Sequence, residues 1–175
     1  MLVNLTDIFS SEQKIITKEI AYESDTVDVG GVTYDILSKE PVALTLKNIG
    51  KGKALVTAKT SFEFELNCDR CLKPVKHTVK IDTQQEVISP DYTEEIDEDS
   101  ESDSFMEGYQ LKVDDLIYSD IVLNWPMKIL CREDCKGICR ICGKDLNTGE
   151  CGCDTFVPSP GLAGIKEIFN ANKEV

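Results

Sequence analysis

The spacing of the cysteines constrains the fold of this chain more than any other feature. Six of the eight cysteines lie in the 23-residue stretch CREDCKGICRICGKDLNTGECGC at 131–153, and the other two form Cys68-x2-Cys71. Zinc takes four soft ligands in a tetrahedron, and a Cys-x2-Cys pair supplies two because its short spacer curls both sulfurs onto one ion. Gly143 after Cys142 suits such a knuckle, since glycine adopts a left-handed backbone. Eight thiols therefore predict two structural Zn²⁺ sites.

The spacing also predicts how the eight thiols divide between the two ions. The first set consists of Cys68, Cys71, Cys131 and Cys135. The second set consists of Cys139, Cys142, Cys151 and Cys153. The first set would tie a β region to a segment that follows a helix, whereas the second closes locally. Because the one-residue spacer of Cys151-x-Cys153 is tighter than the usual knuckle, a set in which Cys135 replaces one of these two stays open.

Basic residues are interleaved with these cysteines. They are Arg70, Lys73, Arg132, Lys136, Arg140 and Lys144. A zinc ion with four thiolates carries a formal charge of about −2, which neighbouring cations would damp. This is also the one locally basic stretch of an acidic chain, so it is the predicted contact surface for a partner or for RNA. The predicted contact residues are Arg132, Lys136, Arg140 and Lys144.

Composition and charge narrow the possible functions. A hydrophobic content of 41% and a charged content of 29% are typical of a soluble globular protein, and no stretch approaches the ~18 apolar residues of a membrane helix. The first residues lack the pattern of a secretory signal, so we expect a cytoplasmic protein in which thiols serve as metal ligands rather than disulfides. The net charge of −13 disfavours a nucleic-acid grip by the whole surface.

Hydrophobic periodicity predicts an α+β fold: an antiparallel β meander or barrel-like sheet covered by one or two helices, with a C-terminal zinc-ribbon-like segment. Gly30 and Gly31 mark a hairpin turn. Three apolar residues alternate with Glu63 and Glu65 in the clearest strand; they are Phe62, Phe64 and Leu66. The hairpin partner of this strand carries Val75, His77, Val79 and Ile81 on one face. A covering helix is predicted over about 113–125, with Leu116, Ile117, Ile121 and Trp125 at helical spacing.

The predicted organisation has three parts. Residues 1–92 form the antiparallel β region with its Cys-x2-Cys knuckle, and residues 93–104 form an acidic linker, since positions 94 to 103 hold seven acidic side chains. Residues 105–175 hold the helix, the cysteine-rich segment and a short C-terminal helix, and pack on the β region as one domain. The apolar residues of that last helix are Leu162, Ile165, Ile168 and Phe169.

Catalytic interpretations lack the residues they need. A catalytic zinc keeps an open position and usually has His or carboxylate ligands, but the only histidine, His77, lies in a predicted strand. Cys135-x3-Cys139-x2-Cys142 has the spacing of a radical-SAM iron-sulfur motif, yet no alternating βα pattern precedes it. A dithiol redox motif needs a helix N-terminus, whereas Cys68 follows a strand. We therefore predict no enzyme and no catalytic residues.

Two segments together resemble the YceD family, the large ribosomal RNA subunit accumulation proteins. They are CDRCLKPV at 68–75 and LCREDCKGICRICGKDLNTGECGC at 130–153. The resemblance extends over nearly the whole chain, and the cysteine-rich end is similar to that of Gram-positive relatives. It implies a bacterial cytoplasmic protein needed for normal accumulation of large-subunit ribosomal RNA, with no established catalytic activity.

Together these observations predict a non-enzymatic factor in large-subunit assembly. Structural zinc would fix a recognition surface, and the acidic chain would act through a basic ribosomal or assembly protein. The alternative is a zinc-ribbon protein that binds pre-ribosomal RNA directly through its four interleaved cations. A metal-dependent or radical enzyme is the third hypothesis. The sequence indicates no membrane and no small-molecule substrate as a partner.

Overall fold

The computed structural model of the chain describes residues 1–92 and 105–153. The strands are β1 (Leu2–Asn4), β2 (Ile15–Ile20), β3 (Thr26–Val29), β4 (Val32–Lys39), β5 (Val42–Gly50), β6 (Lys53–Asn67), β7 (Pro74–Ile88), β8 (Met106–Glu107) and β9 (Gln110–Lys112). The helices are α1 (Thr6–Phe9) and α2 (Val113–Leu123). The chain divides into two compact units. The sheet unit comprises Met1–Leu66 and Pro74–Ile129; the cysteine unit comprises Asn67–Lys73 and the chain from Leu130 onward.

A six-stranded sheet forms the body of the sheet unit. Its strands follow the order β2-β5-β6-β4-β3, and β7 also pairs with β6. The 15-residue strand β6 is central: its first half pairs antiparallel with β5 and its second half with β4. The mainly antiparallel α+β fold expected from the sequence is therefore confirmed, with β6 and β7 paired as predicted.

Alternation in the sequence explains which face of this sheet is buried. Along β6 the inward residues include Phe62 and Phe64, both fully buried, while Glu63 and Glu65 point away from the core. Between β3 and β4, at one edge of the sheet, Gly30 and Gly31 have φ angles of +64° and +82°. Two left-handed residues match the right-handed twist of paired strands, so they close the two-residue hairpin between β3 and β4.

Helix α2 covers this apolar face. The predicted residues Leu116, Ile117 and Ile121 are buried in one core with the phenylalanines of β6. The helix ends at Leu123, two residues before the predicted end, because a residue that precedes proline avoids the helical backbone. Trp125 therefore lies outside the helix. Its ring still packs in the sheet unit, 4.8 Å from the ring of Tyr34 and 5.0 Å from that of Phe64.

The sequence analysis did not anticipate the three-stranded sheet β1-β9-β8. In it, Val3 pairs with Leu111, and both are buried. The Met1 ammonium pairs with the Asp114 carboxylate in the first turn of α2, where a negative side chain also complements the helix dipole. These contacts fix the amino-terminal strand at the start of the covering helix.

Two predictions fall outside the described residues. They are the acidic linker at 93–104 and the C-terminal helix with Leu162, Ile165, Ile168 and Phe169. The packing of the predicted parts into one domain stays a prediction. Within the described part of the chain, no helix has the length and apolar character needed to cross a membrane.

Candidate metal centres

The first knuckle is the turn that follows β6. In it the N–H of Leu72 donates to the carbonyl of Cys68 at 2.9 Å, and the N–H of Cys68 donates to the carbonyl of Lys73 at 2.8 Å. Leu72 has a φ of +60°, so a left-handed residue follows the second cysteine of the pair. This turn brings Cys68 and Cys71 onto one side of the loop.

The second knuckle repeats the same turn. The N–H of Gly143 donates to the carbonyl of Cys139 at 2.9 Å, and the N–H of Cys139 donates to the carbonyl of Lys144 at 2.8 Å. Gly143 has a φ of +71°, the left-handed backbone expected at that position. Two stretches that share the pattern Cys-x2-Cys-x-Lys thus fold into the same hydrogen-bonded turn.

The structure gathers the eight cysteines into two groups of four, divided as the spacing predicts. One contains Cys68, Cys71, Cys131 and Cys135; the other contains Cys139, Cys142, Cys151 and Cys153. Within each group the sulfurs all lie within 4.8 Å of one another, so each group could hold a metal ion. Cys135 lies in the first group and not among the ligands of the second. It is also separated from Cys139 and Cys142, its partners in the radical-SAM spacing.

Sulfur distances test whether the first group fits zinc. Cys68 Sγ lies 3.8 Å from Cys135 Sγ, and Cys71 Sγ lies 3.5 Å from Cys131 Sγ. A tetrahedron with Zn–S bonds of ~2.3 Å has S···S edges of ~3.8 Å. The sulfur of a disulfide lies only ~2.05 Å from its partner, and all eight cysteines are free thiols. These two distances match the edges of a tetrathiolate zinc site, and the other sulfurs of the group lie within 4.8 Å.

Close packing of the first knuckle against the segment after Cys135 shapes the first group. Arg70 Nη1 donates to the carbonyl of Cys135 at 2.6 Å, and the Arg70 carbonyl accepts from the N–H of Ile138 at 3.1 Å. A Cβ on Gly137 would lie 2.8 Å from the Arg70 carbonyl oxygen, and Gly137 has a φ of +79°. Only glycine meets both the backbone and the space requirement there.

Backbone N–H groups favour thiolate at the first cysteine of each knuckle. Burial raises the pKa of the Cys68 thiol, but N–H groups of Cys71, Cys131 and Arg70 outweigh burial and lower it to about 6. N–H groups of Cys142 and Ile141 likewise lower the pKa of Cys139 to about 6. The Ile141 N–H lies 3.4 Å from Cys139 Sγ. Donors aimed at sulfur stabilise the charge that a metal ligand must carry.

One thiol in each group, Cys131 or Cys153, has the opposite shift. The hydrogen bond with Cys71 raises the pKa of Cys131 to about 12. Hydrogen bonds with Cys142 and Cys151 raise the pKa of Cys153 to about 12. Clustered thiols resist full ionisation because like charges repel, and a bound cation is what would displace the remaining protons.

A polar network that the sequence analysis missed supports the first group. Asn147 Nδ2 donates to Cys135 Sγ at 3.4 Å and to Asp145 Oδ1 at 2.7 Å. Asp145 Oδ2 pairs with Lys73 Nζ at 2.7 Å, and this hydrogen bond lowers the pKa of Asp145 to about 2. Asn147 and Asp145 lie between Cys142 and Cys151 in the chain, so the loop of the second group donates to a sulfur of the first.

A signal for this network was present in the sequence. DLNTG at 145–149 combines Asp, Asn and Gly, the residues that make side-chain-to-backbone turns. Asp145 Oδ1 does accept the N–H of Asn147 at 2.9 Å. What the sequence could not show is that the Asn147 side chain reaches a sulfur 12 residues earlier.

The four predicted contact cations are all exposed, but only two of them have side-chain hydrogen bonds or ion pairs within the described residues. Arg132 Nη2 donates to Asn147 Oδ1 at 2.8 Å, and Arg132 Nε lies 3.2 Å from Asp134 Oδ1. Lys144 Nζ donates to the Glu150 carbonyl at 2.8 Å. The side chains of Lys136 and Arg140 form no ion pair with residues at 1–92 or 105–153. Two of the four cations are thus available to a partner.

His77 lies in β7, half-buried, within the sheet unit. Its place in a strand agrees with the expectation that it packs in the sheet, and it belongs to neither group of thiols. In the described part of the chain, the candidate metal ligands are thiols alone.

Comparison with known proteins identifies a family for the chain. The family model described as large ribosomal RNA subunit accumulation protein YceD matches residues 56–169. Uncharacterized proteins of Mycobacterium bovis and Mycobacterium tuberculosis are similar to the chain, with 29% identity over 104 residues. The aligned part is 59% of this chain and 49% of theirs, so the chain spans about half the length of these relatives. No solved structure matches the chain. Because the match covers more than half of the chain, including both groups of thiols, this protein belongs to the YceD family of large ribosomal RNA subunit accumulation proteins.

Proposed function

We propose that this protein is a non-enzymatic factor for the accumulation of large-subunit ribosomal RNA, in which two structural zinc ions fix a recognition surface on the cysteine unit. The family supplies the process. The observation that carries the mechanism is that each group brings four thiol sulfurs within 4.8 Å of one another, an arrangement that could hold one metal ion. Four protein ligands close a zinc site, whereas catalytic zinc keeps one position for water or substrate. A zinc site closed by four protein ligands would stabilise the folded conformation of the cysteine unit.

Charge favours a protein partner for the cysteine unit. Its described residues carry six basic and five acidic side chains. Two tetrathiolate zinc sites would each add a formal charge of about −2, which makes this part of the unit acidic overall. A surface of this sign attracts a basic partner such as a ribosomal or assembly protein.

Apolar residues at the knuckles support the same partner class. Leu72 in the first knuckle is 63% exposed, and Ile141 in the second is 57% exposed. Exposed apolar side chains on tight, hydrogen-bonded turns are suited to contacts with another protein, since little conformational freedom is lost on binding. Lys136 and Arg140, which form no ion pair with the described residues, lie in the same unit. In this proposal a partner protein therefore contacts the exposed side chains of Leu72 and Ile141 and the neighbouring charged residues.

The test replaces the resident gene by variants and follows ribosome assembly. The wild-type protein should co-sediment with large-subunit precursors, and cells with Cys68→Ser should show a lower ratio of large-subunit to small-subunit ribosomal RNA. Lys80→Ala, which changes an exposed strand residue of the sheet unit, is the matched control. Recovery of the wild-type protein only as a free monomer in growing cells would contradict the proposal.

Direct RNA binding by the cysteine unit is the second candidate. Its specific support is that Lys136 and Arg140 form no ion pair with described residues. Charge reversal at Arg132, Lys136, Arg140 and Lys144 should then weaken RNA binding and reduce its salt dependence. Unchanged affinity would remove this candidate and leave the protein partner.

A further inference from the structure

A lysine-bearing groove lies at the hairpin end of the sheet unit, outside the segment that the family model matches. The groove has a volume of about 700 Å³, and Lys47, Lys51, Ile15 and Ile49 are among the residues that line it. Glu12 supplies its single carboxylate. The sequence analysis did not predict a binding site here, because the chain is acidic as a whole and this stretch was assigned only to a turn.

The backbone beneath the groove is firmly held. Asn48 is buried at the end of β5, and Asn48 Nδ2 donates to the carbonyls of Ile8 at 2.7 Å and Ser11 at 3.0 Å. Asn48 Oδ1 accepts the N–H of Gly50 at 2.7 Å. The hairpin turn is thus pinned to the segment around α1, and the groove has a fixed floor.

Two lining residues hold an unusual backbone. Gln13 has a φ of +59° and Lys51 a φ of +53°, left-handed values that are unfavourable for a residue with a side chain. Lys51 is flanked by Gly50 and Gly52, which are also left-handed, at +86° and +67°. Such strain persists where the surrounding structure holds it, and it is concentrated at functional sites.

Three lysines lie at this end of the sheet unit: Lys47, Lys51 and Lys53. In the sheet register Lys47 lies between Ile15 on β2 and Leu55 on β6, both apolar. Lys53 continues the same face beyond the turn, opposite Gly50. Neither Lys47, Lys51 nor Lys53 forms an ion pair with any residue in the described ranges. Three lysines without an ion pair among the described residues therefore lie together at this end.

Hydroxyl groups continue the surface away from the groove. The next row of the exposed sheet face consists of Thr17, Thr45 and Thr57, which are directly opposite one another on three strands. Lysine ammonium groups and threonine hydroxyls are common donors to phosphate oxygens and sugars. A row of donors beside a cluster of cations suits a polyanion that runs along the sheet.

From this arrangement we infer that the groove and the adjoining threonine row bind the sugar-phosphate backbone of RNA. The donor set favours RNA over an acidic protein. Lysine serves phosphate as a point charge, and the hydroxyls of Thr17, Thr45 and Thr57 can donate to phosphate and sugar oxygens. The inference rests on the proposed ribosomal role but not on either metal site.

The experiment measures binding of the full-length, zinc-loaded protein to a labelled transcript of large-subunit ribosomal RNA over a series of salt concentrations. The test variant is Lys47→Glu with Lys51→Glu. The control, Lys18→Glu with Lys80→Glu, makes the same charge change at exposed strand positions outside the groove. The milder Lys47→Gln with Lys51→Gln keeps the test valid if charge reversal disturbs folding. Unlabelled polyglutamate serves as the competitor that represents an acidic protein.

The groove variant should bind at least about tenfold more weakly, with a salt slope reduced by about 1.5, the loss expected for two phosphate contacts. The control variant should stay within about twofold of wild type. Equal weakening in both variants, unchanged binding in the groove variant, or competition by polyglutamate as strong as by RNA would overturn the inference. Its failure differs from failure of the proposed function, in which the wild-type protein would not co-sediment with ribosomal precursors.

Discussion

The two groups of thiols share one knuckle but differ in how the rest of the site is built. In the first group the other two ligands come from far along the chain, since Cys71 and Cys131 are 60 residues apart. In the second, all four lie within residues 139–153. Cys68 and Cys135 are fully buried, whereas Cys139 is the one buried thiol of the second group. The same turn is thus used in one site whose ligands are far apart in the sequence and in another whose ligands all lie within 15 residues.

This difference predicts different roles for the two ions. Closing a long loop costs more chain entropy than closing a short one, so the first ion would organise more of the chain. The first group also has more supporting contacts. The Arg70 side chain donates to the Cys135 carbonyl, Gly137 packs against the Arg70 carbonyl, and the Asn147 side chain donates to Cys135 Sγ. We therefore expect the first site to determine the fold of the cysteine unit and the second to complete its surface.

The largest expected effect is at the closest contact of the first site. Gly137→Ala should cost about 2–4 kcal/mol of unfolding free energy, because its Cβ would lie 2.8 Å from the Arg70 carbonyl oxygen. Gly143→Ala meets no atom within 4 Å and should cost only about 1 kcal/mol, from its φ of +71°. Denaturant unfolding of the zinc-loaded variants measures both. Equal costs would show that the contact between Gly137 and the Arg70 carbonyl does not restrict a side chain at position 137.

Acidification should weaken both sites. Cys131 and Cys153, with pKa values of about 12, hold their protons at neutral pH, so metal binding must displace at least one proton at each site. Affinity should therefore fall by about tenfold per pH unit and per proton as the pH drops from 7 to 5, in zinc titrations against a competing chelator. A pH-independent affinity would contradict thiolate ligation.

The ion pair of Asp145 is not the cause of this acid sensitivity. Its pKa is lowered to about 2, so the stability it provides is complete above the unfolded value of ~3.9 and is lost only as the pH falls through about 2. Asp145→Asn should accordingly leave the slope of zinc affinity between pH 7 and 5 unchanged. If zinc affinity depended less steeply on pH in Asp145→Asn than in the wild-type protein, the proton displaced by zinc would belong to Asp145 and not to a thiol.

Asn147→Ala should weaken zinc binding at the first site by about 10- to 100-fold, because it removes the donor to Cys135 Sγ. The neighbouring Thr148→Ala removes only a hydroxyl bond to the Asp145 carbonyl and serves as the control. Zinc affinities of both sites, measured by competition, provide the comparison. A larger loss at the second site than at the first would mean that Asn147 acts through its own loop.

Exposure predicts the order in which a chelator removes the two ions. Cys142 is exposed, and Cys151 and Cys153 are partly exposed, so the second ion should leave about tenfold faster than the first under excess chelator. Two kinetic phases of equal amplitude, read by a colorimetric zinc indicator, are the expected result. Cys153→Ser should abolish the fast phase. Loss of the slow phase instead would reverse the assignment.

The smallest effect concerns the residue that follows each knuckle. Leu72 holds a φ of +60° where the second knuckle has glycine, and its side chain is exposed. Leu72→Gly should stabilise the zinc-loaded protein by about 0.5 kcal/mol, since relief of the left-handed strain exceeds the entropy cost of glycine by a small margin. Thermal unfolding measures the change. A lower melting temperature for Leu72→Gly would mean that the Leu72 side chain makes stabilising contacts within this protein, despite its exposure.

Spacing and alternation were sufficient to predict the division of the thiols and the strands that flank the first knuckle. A Cys-x2-Cys turn is a local structure, and Phe62 and Phe64 carry a two-residue period, so each pattern can be recognised without the rest of the chain. Pro126 marks the end of helix α2 in the sequence, but the helix stops at Leu123, two residues before the predicted boundary, because Asn124 already leaves the helical backbone.

Long-range contacts could not be predicted from the sequence. The strand β1 pairs with β9 more than 100 residues later, and the side chain of Asn147 reaches a sulfur of the other site. The lysine groove depends on the register between β2, β5 and β6, which brings Ile15 beside Lys47. None of these has a periodic signal, because each joins residues whose proximity exists only after folding.

The central claim is that the chain holds two separate tetrathiolate zinc sites. The most direct test is the zinc content of the purified protein and of Cys68→Ser and Cys153→Ser, with a mass measurement of each loaded species under native conditions. We predict two zinc ions in the wild-type protein and one in each variant, with the double variant binding none. One ion in the wild-type protein, or one ion in the double variant, would contradict the division into two independent sites.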